Sequence, residues 1–317
     1  MIGARLIEQL ASDPQLNGTP VDRITAFDVV SAQRPAGVPD GIAFDAIVGD
    51  LSDPATCRSL VAPRPDIIFH LAAIVSGEAE ADFAKGYRIN LDGTRHLLQA
   101  ITEQADYCPK VVFTSSIAVF GAPFPEAIGD DFHNTPLTSY GTQKAIGELL
   151  LSDFSRRGLL DGIGIRLPTI CVRPGQPNKA ASGFFSNIIR EPLAGQPAVL
   201  PVATSVRHWH ASPRAAVSFL THAASLDLTR LGARRNLTMP GLSVTVQEQL
   251  DALRKIAGAA VVDRIEHRED PDISRMVAGW PRNFRADRAL ALGFQADDSF
   301  EAIIRQHIDQ ELGGHIA

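Results

Sequence analysis

Short apolar runs separated by stretches with helical spacing constrain this chain more than any other feature. The runs are Arg23 to Val30 (RITAFDVV), Ala43 to Val48 (AFDAIV), Asp66 to Leu71 (DIIFHL), Lys110 to Ser115 (KVVFTS) and Gly162 to Leu167 (GIGIRL). Runs apolar at nearly every position suit strands buried on both faces, as in a parallel sheet. Between them, Ile2 to Leu10, Asn90 to Ile101 and Ser139 to Ser155 carry helical patterns. Strand and helix in alternation imply right-handed crossovers. The expected fold is therefore α/β, a Rossmann-like doubly wound parallel sheet.

The texture changes after Pro168. Residues 171–183 (CVRPGQPNKAASG) form a polar, Pro- and Gly-rich stretch, and one more strand is expected near Arg235 to Met239 (RNLTM). A length of 317 residues suits one large domain or two intimately joined ones. We expect a nucleotide-binding domain over 1–167. Residues 168–317 are expected to form a mixed region with a smaller, substrate-binding C-terminal lobe.

The net charge of −6 comes without a basic stripe, so nucleic acid is not an expected partner. No apolar stretch reaches the roughly 20 residues of a membrane helix, and no signal peptide is read at the N-terminus. Cys57, Cys108 and Cys171 lie too far apart for a metal motif, so no metal is expected. Buried, reduced thiols in a cytoplasmic protein are the expectation.

Tyr140-Gly-Thr-Gln-Lys144 carries the chemistry. Residues at i and i+4 share a helix face. An ammonium near a phenol favours the phenolate, which makes Tyr140 a candidate general acid or base. Upstream, Val112-Phe-Thr-Ser-Ser-Ile-Ala-Val-Phe-Gly121 ends an apolar strand in Thr114, Ser115 and Ser116. Strand carboxyl ends face the ligand crevice of an open parallel sheet. A hydroxyl there can orient a substrate oxygen; its alternative use is turn formation or helix capping.

Together, FTSSIAVFG, SYGTQKAIGE and GIRLPTICVRPG resemble the extended short-chain dehydrogenase/reductases, the NAD-dependent epimerase/dehydratases. The resemblance implies that Ser116 polarises the substrate oxygen, Tyr140 exchanges the proton and Lys144 also holds the nicotinamide ribose. It places the backbone of Leu71, Ala72 and Ala73, in His70-Leu-Ala-Ala73, against an NAD cofactor. Asp50 and Leu51 match the position beside the adenine, and Pro168 and Thr169 follow the last strand on the cofactor side. Asn90, in Asn-Leu-Asp-Gly-Thr94, matches a helix that flanks the site. Asp28 ends a strand where a carboxylate accepts from ribose hydroxyls, which favours NAD over its phosphorylated form. Helices 90–101 and 140–155 would form a homodimer interface by the same analogy.

The template departs at its start. A dinucleotide-binding fold opens with a strand and a glycine-rich turn. Here Gly3 matches only the last glycine of G-x-x-G-x-x-G. The expectation is a chain beginning at an internal methionine, about 10–15 residues into the motif's strand and turn, with a central slot of the sheet left empty.

For the substrate, a Thr-Ser-Ser segment without an acidic pair speaks against dehydration. AIVSGEAEADF, NKAASGFFS and VRHWHASP resemble a subgroup that oxidises the C2 hydroxyl of a four-carbon sugar acid, D-erythronate. A small acid needs cations or donors for its carboxylate. Ser76, Arg173, Lys179 and Arg207 are the candidates, beside Ser116 and Tyr140. Other readings are a sugar-nucleotide epimerase, a non-catalytic NAD-binding protein, or an inactive incomplete chain.

Overall fold

The computed structural model describes residues 1–35, 37–175 and 181–317. The strands that frame the site are β1 (Arg23–Asp28), β2 (Ala43–Val48), β3 (Ile67–His70), β4 (Lys110–Ser116), β5 (Asp161–Leu167), β6 (Thr169–Ile170), β7 (Arg207–Ala211), β8 (Asn236–Thr238) and β9 (Leu242–Thr245). The helices used below are α1 (Ile2–Ser12), α2 (Pro54–Val61), α3 (Gly93–Thr102), α4 (Ser139–Arg156), α5 (Phe184–Leu193), α6 (Pro213–Ser225), α7 (Val246–Ala257) and α8 (Phe300–Glu311).

Strands β3, β4, β5 and β8 form an all-parallel sheet in the order β8-β5-β4-β3. Its middle is fully apolar: Val112, Ile163, Ile165 and Leu237 are completely buried. Each such side chain contributes roughly 1.5–3 kcal/mol of burial energy. Helix α6 packs on this core through Ala216, Phe219 and Leu220. On the other face, Leu97, Leu98 and Ile101 of α3 meet Val111, Phe113 and Leu151.

The expected single sheet is split. Strands β1 and β2 pair in parallel with each other, Arg23 opposite Ala43 through Asp28 opposite Val48. Among the described residues, no strand lies between β1 and β3, so each has one hydrogen-bonded neighbour. The tips of the β1–β2 pair consequently stay in solvent, with Val29, Val30 and Val48 exposed.

Residues after 167 divide between two cores. Helix α6 and β8 complete the parallel sheet. Helices α5, α7 and α8 enclose a second core built on Phe185, Ile188, Leu253 and Ile304. A three-stranded sheet, β9-β7-β6, joins the two. Strand β7 runs parallel to β6 and antiparallel to β9.

Two details depart from the sequence reading. The helix expected from Asn90 opens as a π-helix over Tyr87–Asp92 before α3 begins. Cys108 is exposed rather than buried, because it lies in the surface turn ahead of β4; Cys57 and Cys171 are buried as expected.

Candidate active site

Helix α4 starts where it does because Thr138 caps it, accepting from the Gly141 amide at 3.0 Å. Gly141 is required by close approach. A Cβ there would lie 2.1 Å from the Ala118 carbonyl oxygen. The helix thus packs directly on the 3₁₀ turn Ile117–Val119 that follows β4. That contact brings the first turn of α4, with Tyr140, against the end of β4, where the Ser116 hydroxyl favours the phenolate. The Ser116 Oγ also accepts from the Ala118 amide at 3.1 Å. Capping uses its lone pair and leaves its proton free to donate, so the structural and functional uses of Ser116 coexist.

Lys144 is 3% exposed. Its Nζ donates to the Thr114 carbonyl at 2.7 Å and lies over the Phe113 ring. Burial lowers its pKa to about 8, opposed by the nearby Glu148 charge. The expectation that Lys144 depresses the Tyr140 pKa needs correction. Enclosure raises the phenol pKa, while Arg173 and the Ser116 hydrogen bond pull it down. The reason is geometric: Nζ is drawn to the strand carbonyl and sits 5.8 Å from the Tyr140 ring centre.

Thr114 and Ser115 are structural. Thr114 donates to the His70 carbonyl at 3.0 Å, and Ser115 donates to Glu148 at 2.6 Å. Asn90 is buried, and its side chain is committed. Its Oδ1 accepts from the Ile74 amide at 2.8 Å, and its Nδ2 donates to the Ile74 carbonyl and to Gln143. It therefore has no donor left for a cofactor and instead pins the segment after β3. His70 is buried too; Thr94 donates to the Asn90 carbonyl, so His70 Nε2–H donates to Thr94 at 2.8 Å. Desolvation drops its pKa to about 3, so it stays neutral.

Arg173 is the most informative of the candidate substrate residues. Its Nε donates to the Ile170 carbonyl at 3.0 Å and its Nη2 to Ser182 at 2.9 Å, while Arg190 donates to its carbonyl. Among the described residues it has no carboxylate partner, although its charge reaches Tyr140. Desolvation lowers its pKa. A part-buried cation without an anion is costly, and an anionic ligand beside Tyr140 would relieve that cost.

The other candidates scatter. Arg207 donates to the Ser243 carbonyl at 2.7 Å and pairs with Glu248 at 3.3 Å. It lines an open cleft of about 880 Å³ with Glu126, Arg282 and Asn283, which none of Ser116, Tyr140 and Lys144 lines. Ser76 opens a short helix, Ser76–Ala81. Lys179 lies outside the described residues. His208 and His210 bond Thr169 and Gln249 and stay neutral through burial.

The nicotinamide half of an NAD site fits these residues. Lys144 Nζ uses one of its three protons on Thr114, and Asn90 fixes the backbone of Ile74 in the segment that follows β3. Pro168 and Thr169 are buried next to β5. On the adenosine side, Asp28 is exposed at the end of β1, its carboxylate accepting only weakly from Val30 at 3.3 Å. Asp50 is less free, since Ser52 and Arg88 both donate to it. Leu51 turns its side chain into the core beside Cys57, leaving only backbone for the adenine. Gly3 sits in the first turn of α1, where nothing crowds it.

Such a strand-end trio beside a dinucleotide crevice defines a class, and comparison with known proteins agrees. The NAD dependent epimerase/dehydratase family matches residues 1–216. The chain belongs to that family, and NAD is its cofactor. It is 49% identical to the D-erythronate dehydrogenase of Cupriavidus necator, over 96% of this chain and 93% of that protein. It is 41% identical to the D-erythronate dehydrogenase of Haemophilus influenzae, over 98% and 96% respectively. A solved structure, a nucleoside-diphosphate-sugar epimerase from Agrobacterium tumefaciens, superposes with a TM-score of 0.96 at 61% identity, covering 100% of this chain and 93% of that one.

Proposed function

We propose that this NAD-dependent dehydrogenase oxidises the C2 hydroxyl of D-erythronate to 2-dehydro-D-erythronate. The observation that carries the reading is Arg173: a part-buried guanidinium beside Tyr140 with no acidic partner among the described residues. A carboxylate bound there sets the neighbouring carbinol against the phenol. The names of the two relatives support the same acid.

The residues divide the work. Arg173 binds the carboxylate, with Ser182 holding its fork in place. Ser116 donates to the substrate oxygen while its own lone pair stays with the Ala118 amide. Tyr140 takes the hydroxyl proton. Lys144 supplies positive charge from beneath the helix and two free protons for a ribose diol. When bound, NAD supplies the acceptor for the hydride that leaves C2.

A sugar-nucleotide epimerase shares the trio, and the similar structure from Agrobacterium tumefaciens bears that name. Such a substrate needs cations for its diphosphate. Arg207 in the outer cleft is already paired to Glu248, which favours the smaller acid.

The test is NADH formation from D-erythronate, its amide and a set of nucleotide sugars. The reading expects absorbance from the acid alone. Equal turnover of the amide would remove Arg173 from its role. Conversion of a nucleotide sugar without net NADH would replace the reading with epimerisation.

A further inference from the structure

One buried group near the trio has no part in the chemistry above. Glu148 lies one turn beyond Lys144 on α4 and is 1% exposed. Four donors converge on its carboxylate. Ser115 Oγ donates at 2.6 Å, Arg166 Nε and Nη2 at 2.8 and 2.7 Å, and Asn134 Nδ2 at 2.9 Å. These donors come from β4, β5 and the loop before α4, so the carboxylate ties both strand ends to the catalytic helix. Packing alone does not require an ion pair at such a place, since apolar residues of similar volume often serve as well.

We infer that the Glu148–Arg166 pair is a positioning device that sets the charge state of Lys144 by placing a matched negative and positive charge behind it. The inference rests on the Tyr140/Lys144 reading proposed above. Geometry carries it. Among the described residues, Lys144 has one hydrogen-bond partner, the Thr114 carbonyl, in a pocket walled by Phe113 and Tyr140. The charged or titratable groups facing the pair Tyr140–Lys144 are few. His70 on β3 is neutral. Arg173 faces Tyr140 from the segment after β6. Glu148 is the acidic group acting on Lys144. Arg166 sits on the far side of Glu148 and stacks over Phe120 at 4.9 Å. The pair is neutral as a whole, so Lys144 feels a near carboxylate and a more distant guanidinium. In so little solvent, altering one member changes the local charge by a full unit with weak screening.

The signs follow. Glu148→Gln leaves the Arg166 cation uncompensated. That disfavours the Lys144 ammonium, so the high-pH limb of the bell in kcat/KM moves to lower pH while the Tyr140 limb stays in place. Ser115→Ala removes one donor and leaves the carboxylate charge less shielded, so the high-pH limb moves slightly to higher pH. The double variant Glu148→Gln/Arg166→Gln removes both charges and returns that limb toward its original position.

The experiment is the pH profile of NADH formation from D-erythronate for the unaltered chain, Glu148→Gln, Ser115→Ala and the double variant. The expected shift for Glu148→Gln is about one pH unit downward. A lowered kcat with unmoved limbs would make Glu148 merely structural and overturn the inference. If Glu148→Gln fails to fold, Ser115→Ala decides: limbs that stay fixed overturn it, and an upward shift supports it. Absence of turnover in the unaltered chain, by contrast, would fault the proposed reaction, and the shift would then be read on whichever alcohol or nucleotide sugar the chain converts.

Discussion

A phenol that burial holds above its ordinary pKa is an inert base until a positive charge stands beside it. Here two cations, Arg173 and Lys144, flank Tyr140, and only Arg173 pulls its pKa down in this structure. Replacing Tyr140 by Phe removes the proton acceptor and leaves the cleft shape. Turnover should fall by about 10²–10⁴-fold. The dissociation constant of NAD, followed by fluorescence quenching, should stay within a few fold. Near-normal turnover in that variant would dismiss Tyr140 as the base. Arg173→Met should act on the other side of the reaction. Loss of a charge-assisted contact of about 1.5–3 kcal/mol raises KM for the acid by roughly 10- to 150-fold. Initial-rate kinetics would read that change, and an unchanged KM would place the carboxylate elsewhere. The trio was legible because it depends on local spacing within one helix and one strand end. What singles out Arg173 was not, because the absence of an acidic partner is a property of the assembled fold.

At the scale of elements, the site is a junction between the start of α4 and the turn after β4. Gly141 permits that junction. Gly141→Ala would push α4 away from the Ala118 carbonyl and lengthen the Ser116–Tyr140 contact. We expect a kcat loss of at least tenfold together with a lower melting temperature. A variant with full kcat would show that the close packing does not position the phenol. The strands could be read from apolar runs, and their observed limits lie within two residues of those runs. The π-helix at Tyr87–Asp92 could not. It arises where Asn90 turns inward to bond Ile74 and Gln143, partners distant in sequence. Tyr140 and Lys144 were visible as an i, i+4 pair, whereas Glu148, one turn further on, carried no mark in the sequence. Its meaning depended on Arg166, which a different strand delivers. Arg207 shows the converse: it was a candidate for the substrate carboxylate, yet Glu248 of α7 claims its charge.

At the scale of the molecule, several histidines are folded in neutral. Burial lowers His70 to about 3, and His208 and His307 to about 4. In the unfolded chain they titrate near 6.5. Below that pH the unfolded state takes up protons that the folded state refuses, so stability falls as pH drops from about 6.5 toward 4. Above it these groups contribute no pH dependence. Melting temperatures from pH 7 to 4.5 should therefore decline below about 6.5; a level curve throughout would contradict neutral burial. The split sheet and the two cores place the β4–α4 junction where a dinucleotide and a small acid can meet. We propose that the hydrogen leaving C2 of a sugar acid passes to NAD at that junction. Turnover of D-erythronate deuterated at C2 is the direct test. The expected result is NADH carrying the deuterium, with a 2-oxo acid as the product. Unlabelled NADH, or labelled acid inverted at one carbon with no NADH at all, would contradict it.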